Sequence, residues 1–149
     1  MGLALARRKR RSDDGAAALE FALILPILMA LLIGIISYGW MMSFRQAMSQ
    51  AAAEGARHAA VAPSGDDTAK KTAAIAIVDD ALEAYGVKCG DGVTTCPAAI
   101  RACDNNAGKR CVYVTVTYPY RNDPLIPSFP GLGVTLPETL SYTAVAEVS

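Results

Sequence analysis

The stretch that decides the fold begins Gly15-Ala16-Ala17-Ala18-Leu19-Glu20-Phe21 and runs on as Ala22-Leu-Ile-Leu-Pro-Ile-Leu-Met-Ala-Leu-Leu-Ile-Gly-Ile-Ile-Ser37. The 24 residues from Phe21 to Phe44 carry no formal charge, and as a helix they would reach about 36 Å at 1.5 Å per residue. A bilayer core is about 30 Å thick, so the segment is long enough to cross it with some tilt. We therefore predict a membrane-spanning helix over about residues 21–44, with the Glu20 carboxylate at its N-terminal end.

The residues before this span are basic. Residues 1–15 carry a charge of +3, from five Lys or Arg against two Asp, although the whole chain is formally neutral. Basic residues beside a span stay in the cytoplasm. This predicts a single-pass protein of the inner (cytoplasmic) membrane, with a cytoplasmic N-terminus and a periplasmic or extracellular C-terminal part. A nucleic-acid-binding patch is the alternative, but the cluster is short and adjoins the span, so we expect no nucleic-acid partner.

A cleaved secretory signal peptide fits the N-terminus less well than a retained span does. Signal peptides have an apolar region of about 7–15 residues with a small-residue cleavage site close behind it. Here the apolar run is longer, and the nearest such site, Ala51-Ala52-Ala53, lies well beyond Tyr38. The sequence therefore predicts three parts: a leader over residues 1–15, one long helix over 16–62 and an extracytoplasmic domain over 63–149.

The outer half of the long helix carries small residues at four-residue spacing, namely Ala47, Ala51, Gly55 and Ala59. Such a stripe lets another backbone approach closely. Two interpretations stay open, since the stripe can pack on the domain of its own chain or between subunits.

The pattern of the C-terminal part predicts one more helix and two strands. Asp66-Asp67-Thr68 is a good N-cap for a helix over about residues 68–85, where apolar residues recur at three and four positions. Residues 111–118 alternate strictly, with Val112, Val114 and Val116 on one side, which is typical of a half-buried strand. Residues 140–148 alternate more weakly. The prediction is an α+β fold in which the second helix packs on a short antiparallel sheet.

Four cysteines, Cys89, Cys96, Cys103 and Cys111, lie in a region that we interpret as rich in loops. Outside the cytoplasm disulfides persist, whereas a zinc site normally has tighter ligand pairs and the chain has one histidine, His58. We therefore expect structural disulfides and no metal. Three pairings are possible, of which Cys89–Cys96 with Cys103–Cys111 is favoured because each closes a short loop.

The acidic residue at the edge of the span needs a reason, because a carboxylate there is costly and usually functional. One interpretation is that headgroups and water solvate Glu20. The other requires a cut between Gly15 and Ala16, which would place a new amino terminus one helical turn from the carboxylate. In a bundle of such helices, Glu20 of one subunit can then pair with the Ala16 ammonium of its neighbour, which offsets part of the desolvation cost of both ions.

Gly15, followed after four residues by Glu20-Phe21, resembles the processing site of type IV prepilins, which a prepilin peptidase cleaves after the glycine. The wider stretch from Gly15 to Pro26, with Ala53-Glu-Gly-Ala-Arg-His-Ala-Ala60 downstream, looks like the TadE-like family of minor pseudopilins, which belong to tight-adherence (Flp, type IVc) pili. The resemblance implies a pilin-like, non-catalytic protein without a cofactor. Its implied site residues are Gly15 and Ala16 for processing and Glu20 and Phe21 for assembly.

The resemblance also implies partners, which are other pilins or pseudopilins, the prepilin peptidase, the inner-membrane assembly platform and the lipid bilayer. The alternative is an uncleaved, single-pass envelope protein that carries a binding or structural module. An enzyme is a weak third interpretation, because the chain has one histidine and no nucleophile motif.

Overall fold

The computed structural model describes residues 7–63, 66–126 and 136–148. The elements are α1 (Arg7–Val61), α2 (Asp67–Leu82) with a 3₁₀ turn (Glu83–Tyr85), and the strands β1 (Ala98–Cys103), β2 (Asn106–Tyr118) and β3 (Leu140–Val148). The chain divides into two compact units, Met1–Tyr38 and Gly39–Ser149. The outer half of α1 therefore belongs to the same unit as α2 and the sheet. The predicted α+β class with a long apolar N-terminal helix is confirmed.

The long helix begins earlier than we predicted. It starts at Arg7, whereas the sequence led us to begin it at Ala16 and to exclude residues 1–15 from the fold as a leader. Arg, Lys and Ala are good helix formers, and one glycine costs only about 1 kcal/mol, so the basic run extends the helix rather than ending it. The first six residues of the predicted leader lie outside the described part of the chain.

The second helix is capped at both ends by its own sequence. The Asp66 carboxylate accepts a hydrogen bond from the Thr68 N–H at 3.1 Å, which confirms the predicted N-cap. The chain then tightens into the 3₁₀ turn, and Gly86 ends it with a φ of 70° that residues with a side chain rarely adopt.

The three strands form one antiparallel sheet in the order β1-β2-β3. Val112, Val114 and Val116 are fully buried on one face of β2, as the alternation predicted. The expectation that residues 89–111 form loops was wrong for part of this region. Ala98 pairs with Val114 and Ala102 with Arg110, so β1 and the start of β2 make a hairpin. The alanines of β1 have low intrinsic strand propensity, and pairing with β2 overrides it.

The core of the second unit lies between the helices and the inner face of the sheet. Gly55 of α1 sits where a Cβ would approach the Ala74 carbonyl oxygen to 2.9 Å and Val78 Cγ2 to 3.0 Å. Only a residue without a side chain allows α1 and α2 to pack this closely. The small-residue stripe thus packs inside its own unit, and its neighbours join the core, whose larger members are Phe44, Met48, Val78, Leu82, Val112, Val114 and Val116.

Candidate functional site

The residues predicted for processing and assembly lie together on the N-terminal half of α1. Gly15, Ala16, Glu20 and Phe21 are all exposed, and Phe21 leaves 60% of its surface uncovered. Glu20 follows Ala16 by four residues, so the two positions share one face of the helix. A Cβ added at Gly15 would meet nothing within 4 Å. The glycine is also a weak point of the helix, because it lowers helix stability by about 0.5–1 kcal/mol relative to alanine.

The Glu20 carboxylate has no partner in its own chain among the side chains that the structure describes. The hydrogen bonds and ion pairs of these residues all involve other groups. A carboxylate at the end of an apolar surface needs water or a partner of opposite charge. The structure places Glu20 and Ala16 on one face of the helix and shows no counter-charge for Glu20 among the side chains that it describes.

A long apolar surface follows Glu20. Leu23, Ile27 and Leu31 leave 69%, 67% and 58% of their surfaces exposed. Within the helix Gly15–Val61, an 18-residue window reaches a mean hydropathy of 2.7 with none of its residues buried in the protein, so α1 is long and apolar enough to cross a membrane. An exposed apolar surface of this extent marks a membrane or protein contact.

The four cysteines form two disulfides in the second unit. Cys89 pairs with Cys96 and Cys103 with Cys111, with Cα–Cα distances of 5.4 and 5.0 Å, as we favoured from the loop lengths. The second disulfide ties the two strands of the β1–β2 hairpin together near its turn. No group of His, Cys, Asp and Glu side chains that could hold a metal ion occurs in the described ranges. The cysteines thus fasten the fold and lie outside the segment around Gly15.

His58 is exposed on the outer half of α1, where it lines a groove of about 450 Å³ together with Glu54 and Arg57. The rest of the lining is aliphatic, from Ala60, Val61, Ile77 and Ala146. Among these lining residues there is no serine, threonine or cysteine that could act as a nucleophile beside His58.

Sequence reasoning missed an aromatic cluster that surrounds Phe44. The Phe44 ring lies 5.2 Å from Tyr85, 5.1 Å from Tyr118 and 6.1 Å from Tyr120, measured between ring centroids. Burial raises the pKa of Tyr118 to about 12, with smaller contributions from the nearby negative charges, and its hydroxyl donates to the Asp123 carbonyl at 2.8 Å. The signal in the sequence was the pair of tyrosines flanking Pro119, which a strand pattern alone does not interpret.

A comparison with protein families finds a match that includes the segment from Gly15 to Phe21. The family model of TadE-like protein matches residues 15–57, a stretch that begins at Gly15 and ends in the outer half of α1. No curated protein and no solved structure matches the chain. The match confirms the resemblance to the TadE-like family that the sequence showed over this stretch.

Proposed function

We propose, from the premise that residues 15–57 are those of a TadE-like protein, that this chain is a minor pseudopilin of a tight-adherence (Flp) pilus system. A prepilin peptidase trims it after Gly15, and the trimmed protein acts in priming or building the pilus. The observation that carries this proposal is the coincidence of the family match with the geometry. The match starts at Gly15, and the exposed glycine, the exposed Glu20 carboxylate and the exposed apolar helix follow in that order.

The role of Glu20 in this proposal is to set the register between neighbouring subunits. Trimming creates an ammonium group at Ala16, and the Glu20 carboxylate of an adjacent subunit accepts it. Removing one member of a desolvated ion pair leaves an uncompensated charge and costs about 3–5 kcal/mol, so the pair penalises wrong registers. The exposure of both residues on one helix face supports this role.

The charge pattern and the apolar helix support a membrane location for the protein. The basic residues before Gly15 favour a cytoplasmic N-terminus, and the disulfide-bonded part then lies in the periplasm or outside the cell. The protein acts by contacting other pilins, the peptidase and the assembly platform in the inner membrane, and it carries out no reaction itself.

The experiment that tests the proposal is intact-mass spectrometry of the membrane-bound protein. We expect a chain that begins at Ala16 in cells with an active prepilin peptidase and a full-length chain in cells without it. A Gly15→Leu variant should stay full-length, because the added side chain obstructs the cleavage site. The matched control is Gly34→Leu, a second helical glycine whose surroundings are open. A full-length wild-type chain in peptidase-positive cells would overturn the proposal.

One structural observation favours the alternative, an uncleaved envelope protein that carries a folded module. Gly15 lies inside α1, eight residues after its start, whereas a peptidase must open the helix to reach the Gly15–Ala16 bond. Under this alternative the chain keeps its leader in every strain. The same mass measurement therefore decides between the two functions.

A further inference from the structure

The 3₁₀ turn after α2 lies beside Trp40, which follows the long apolar stretch of α1. Tyr85, in the 3₁₀ turn after α2, stacks edge-on against Trp40 with ring centroids 5.8 Å apart. Its hydroxyl shares a hydrogen bond of 2.7 Å with the Ser43 hydroxyl. The turn that carries Tyr85 is therefore held at the level of residues 40–44 of the helix.

This level is where the outer surface of a bilayer falls if α1 spans it. Trp40 comes twenty positions after Glu20, and twenty helical steps rise about 30 Å, which equals the thickness of a hydrocarbon core. With Glu20 at the cytoplasmic headgroups, Trp40 lies at the outer headgroups. Trp and Tyr are enriched at this depth because each has an apolar ring and a polar tip.

The exposed surface of Trp40 and the composition of the turn fit a position in the outer headgroup layer. Trp40 leaves 43% of its area uncovered even though Tyr85 packs on its edge. Around Tyr85, the side chains of Glu83, Ala84 and Lys88 are exposed. Two small residues, Ala84 and Gly86, flank Tyr85 and let the turn approach a surface, while one acidic and one basic side chain match a zwitterionic headgroup layer.

We propose that the turn over residues 83–88 rests on the outer headgroup layer of the membrane, as a second lipid contact besides the span. Tyr85 and Trp40 form the aromatic part of this contact. Lys88 faces the lipid phosphate groups around it, and Glu83 faces the choline or amine groups. The inference rests on the membrane span of the proposed function and not on cleavage after Gly15.

Trp40 is the one tryptophan of the chain, so fluorescence can measure the depth of chosen positions. The full-length protein is reconstituted into phosphatidylcholine vesicles that carry a quencher near the headgroup. The probes are wild-type Trp40, the double variant W40F/Y85W, and the control W40F/H58W, since His58 is exposed on the same helix about 27 Å further along. We expect quenching at positions 40 and 85 to exceed that at 58 by at least about threefold, because the interfacial layer is only about 5–10 Å deep.

The three probes separate failure of this inference from failure of the membrane span. If position 40 is quenched and position 85 is quenched no more than 58, the second contact does not exist. If position 40 also escapes quenching, the span itself is absent and both proposals are overturned.

Since a tryptophan at position 85 loses the hydrogen bond to Ser43, a measurement on the wild-type chain completes the test. Phosphatidylcholine with a photoreactive diazirine in its headgroup is activated in the same vesicles, and the modified peptides are identified by mass spectrometry. We expect adducts within residues 83–88 and none within 104–110, the exposed end of the β1–β2 hairpin. Adducts at 104–110 without any at 83–88 would overturn the proposal.

Discussion

The two halves of α1 have opposite relations between apolarity and burial. Over residues 19–36 the side chains are large and aliphatic, and nearly all of them are exposed in the chain by itself. Over residues 41–60 the helix is rich in alanine, and yet Phe44, Met48, Ala51 and Ala59 are fully buried. The more apolar half is therefore the one that the chain leaves uncovered.

The difference shows that burial within this chain depends on a matching surface rather than on hydrophobicity. The outer half of α1 has small residues that allow α2 to approach, and Gly55 marks the closest point. The inner half has bulky side chains on all sides, which is typical of a helix surrounded by lipid or by other apolar helices. The fold itself thus separates a part that packs in its own chain from a part whose cover comes from outside.

The largest effect that distinguishes the two halves should come from truncating one apolar side chain in each. Phe44→Ala removes a ring with no exposed surface from the aromatic cluster, and such changes lower the free energy of unfolding by about 3–5 kcal/mol. Leu31→Ala removes a side chain that is 58% exposed and should leave the folded unit unchanged. Thermal unfolding in detergent, followed by near-ultraviolet circular dichroism, measures both. Equal losses of stability in the two variants would contradict the division of the helix.

A second test concerns what covers the exposed half. Glu20→Ala removes the carboxylate that we assign to contacts between subunits, so cleavage after Gly15 should continue while assembly into pili falls at least tenfold, or about 1.4 kcal/mol. The matched control is Glu54→Ala, an exposed carboxylate on the half of α1 that packs in its own unit. Intact mass reports cleavage, and the amount of sheared pili reports assembly. Normal piliation with Glu20→Ala would refute the pairing role.

The parts of the fold that were predictable from sequence are those where local pattern and final packing agree. The apolar run fixed the long helix, and the alternation at Val112, Val114 and Val116 gave the central strand with its buried face. The N-cap at Asp66 and the short cysteine spacings were equally local signals. Each of these rests on the chemistry of neighbouring residues, which a sequence displays directly.

What sequence reasoning missed depends on contacts between distant residues. Half of the residues of β1 are alanine, and β1 becomes a strand because β2 offers it a partner, so no local pattern marks it. Tyr85 and Tyr118 meet around Phe44 although more than thirty residues separate them in sequence. For the site around Gly15, the sequence identified the residues from a family resemblance, and the structure added that Glu20 lacks a partner among the described side chains of its own chain.

A smaller effect is expected at the glycine that lets the two helices meet. Gly55→Ala places a methyl group 2.9 Å from the Ala74 carbonyl oxygen, and overpacking of this kind costs about 1–3 kcal/mol. The higher helix propensity of alanine offsets about 0.5–1 kcal/mol of this cost, so we expect a net loss of up to about 2.5 kcal/mol. Gly34→Ala, in the exposed half, meets nothing within 4 Å and should be neutral or slightly stabilising. A stabilised Gly55→Ala protein in the same thermal assay would show that α1 and α2 do not pack this closely.

The smallest effect concerns the pH dependence of stability and is confined to the second unit. Tyr118 stays neutral in the folded chain up to a pKa of about 12, because burial disfavours the phenolate, whereas the unfolded chain ionises near pH 10. Above pH 10 the unfolded state therefore releases a proton that the folded state keeps, and the free energy of unfolding falls as pH rises towards 12.

Tyr118→Phe should lose about 0.5 to 1 kcal/mol of stability at neutral pH, because the hydrogen bond to Asp123 is lost, and it should flatten this alkaline fall. It does not abolish the fall, because burial also raises the pKa of Tyr120. Tyr38→Phe, at an exposed tyrosine outside the second unit, is the matched control for the substitution itself. An equally steep alkaline fall in wild type and Tyr118→Phe would place the titrating group elsewhere in the unit.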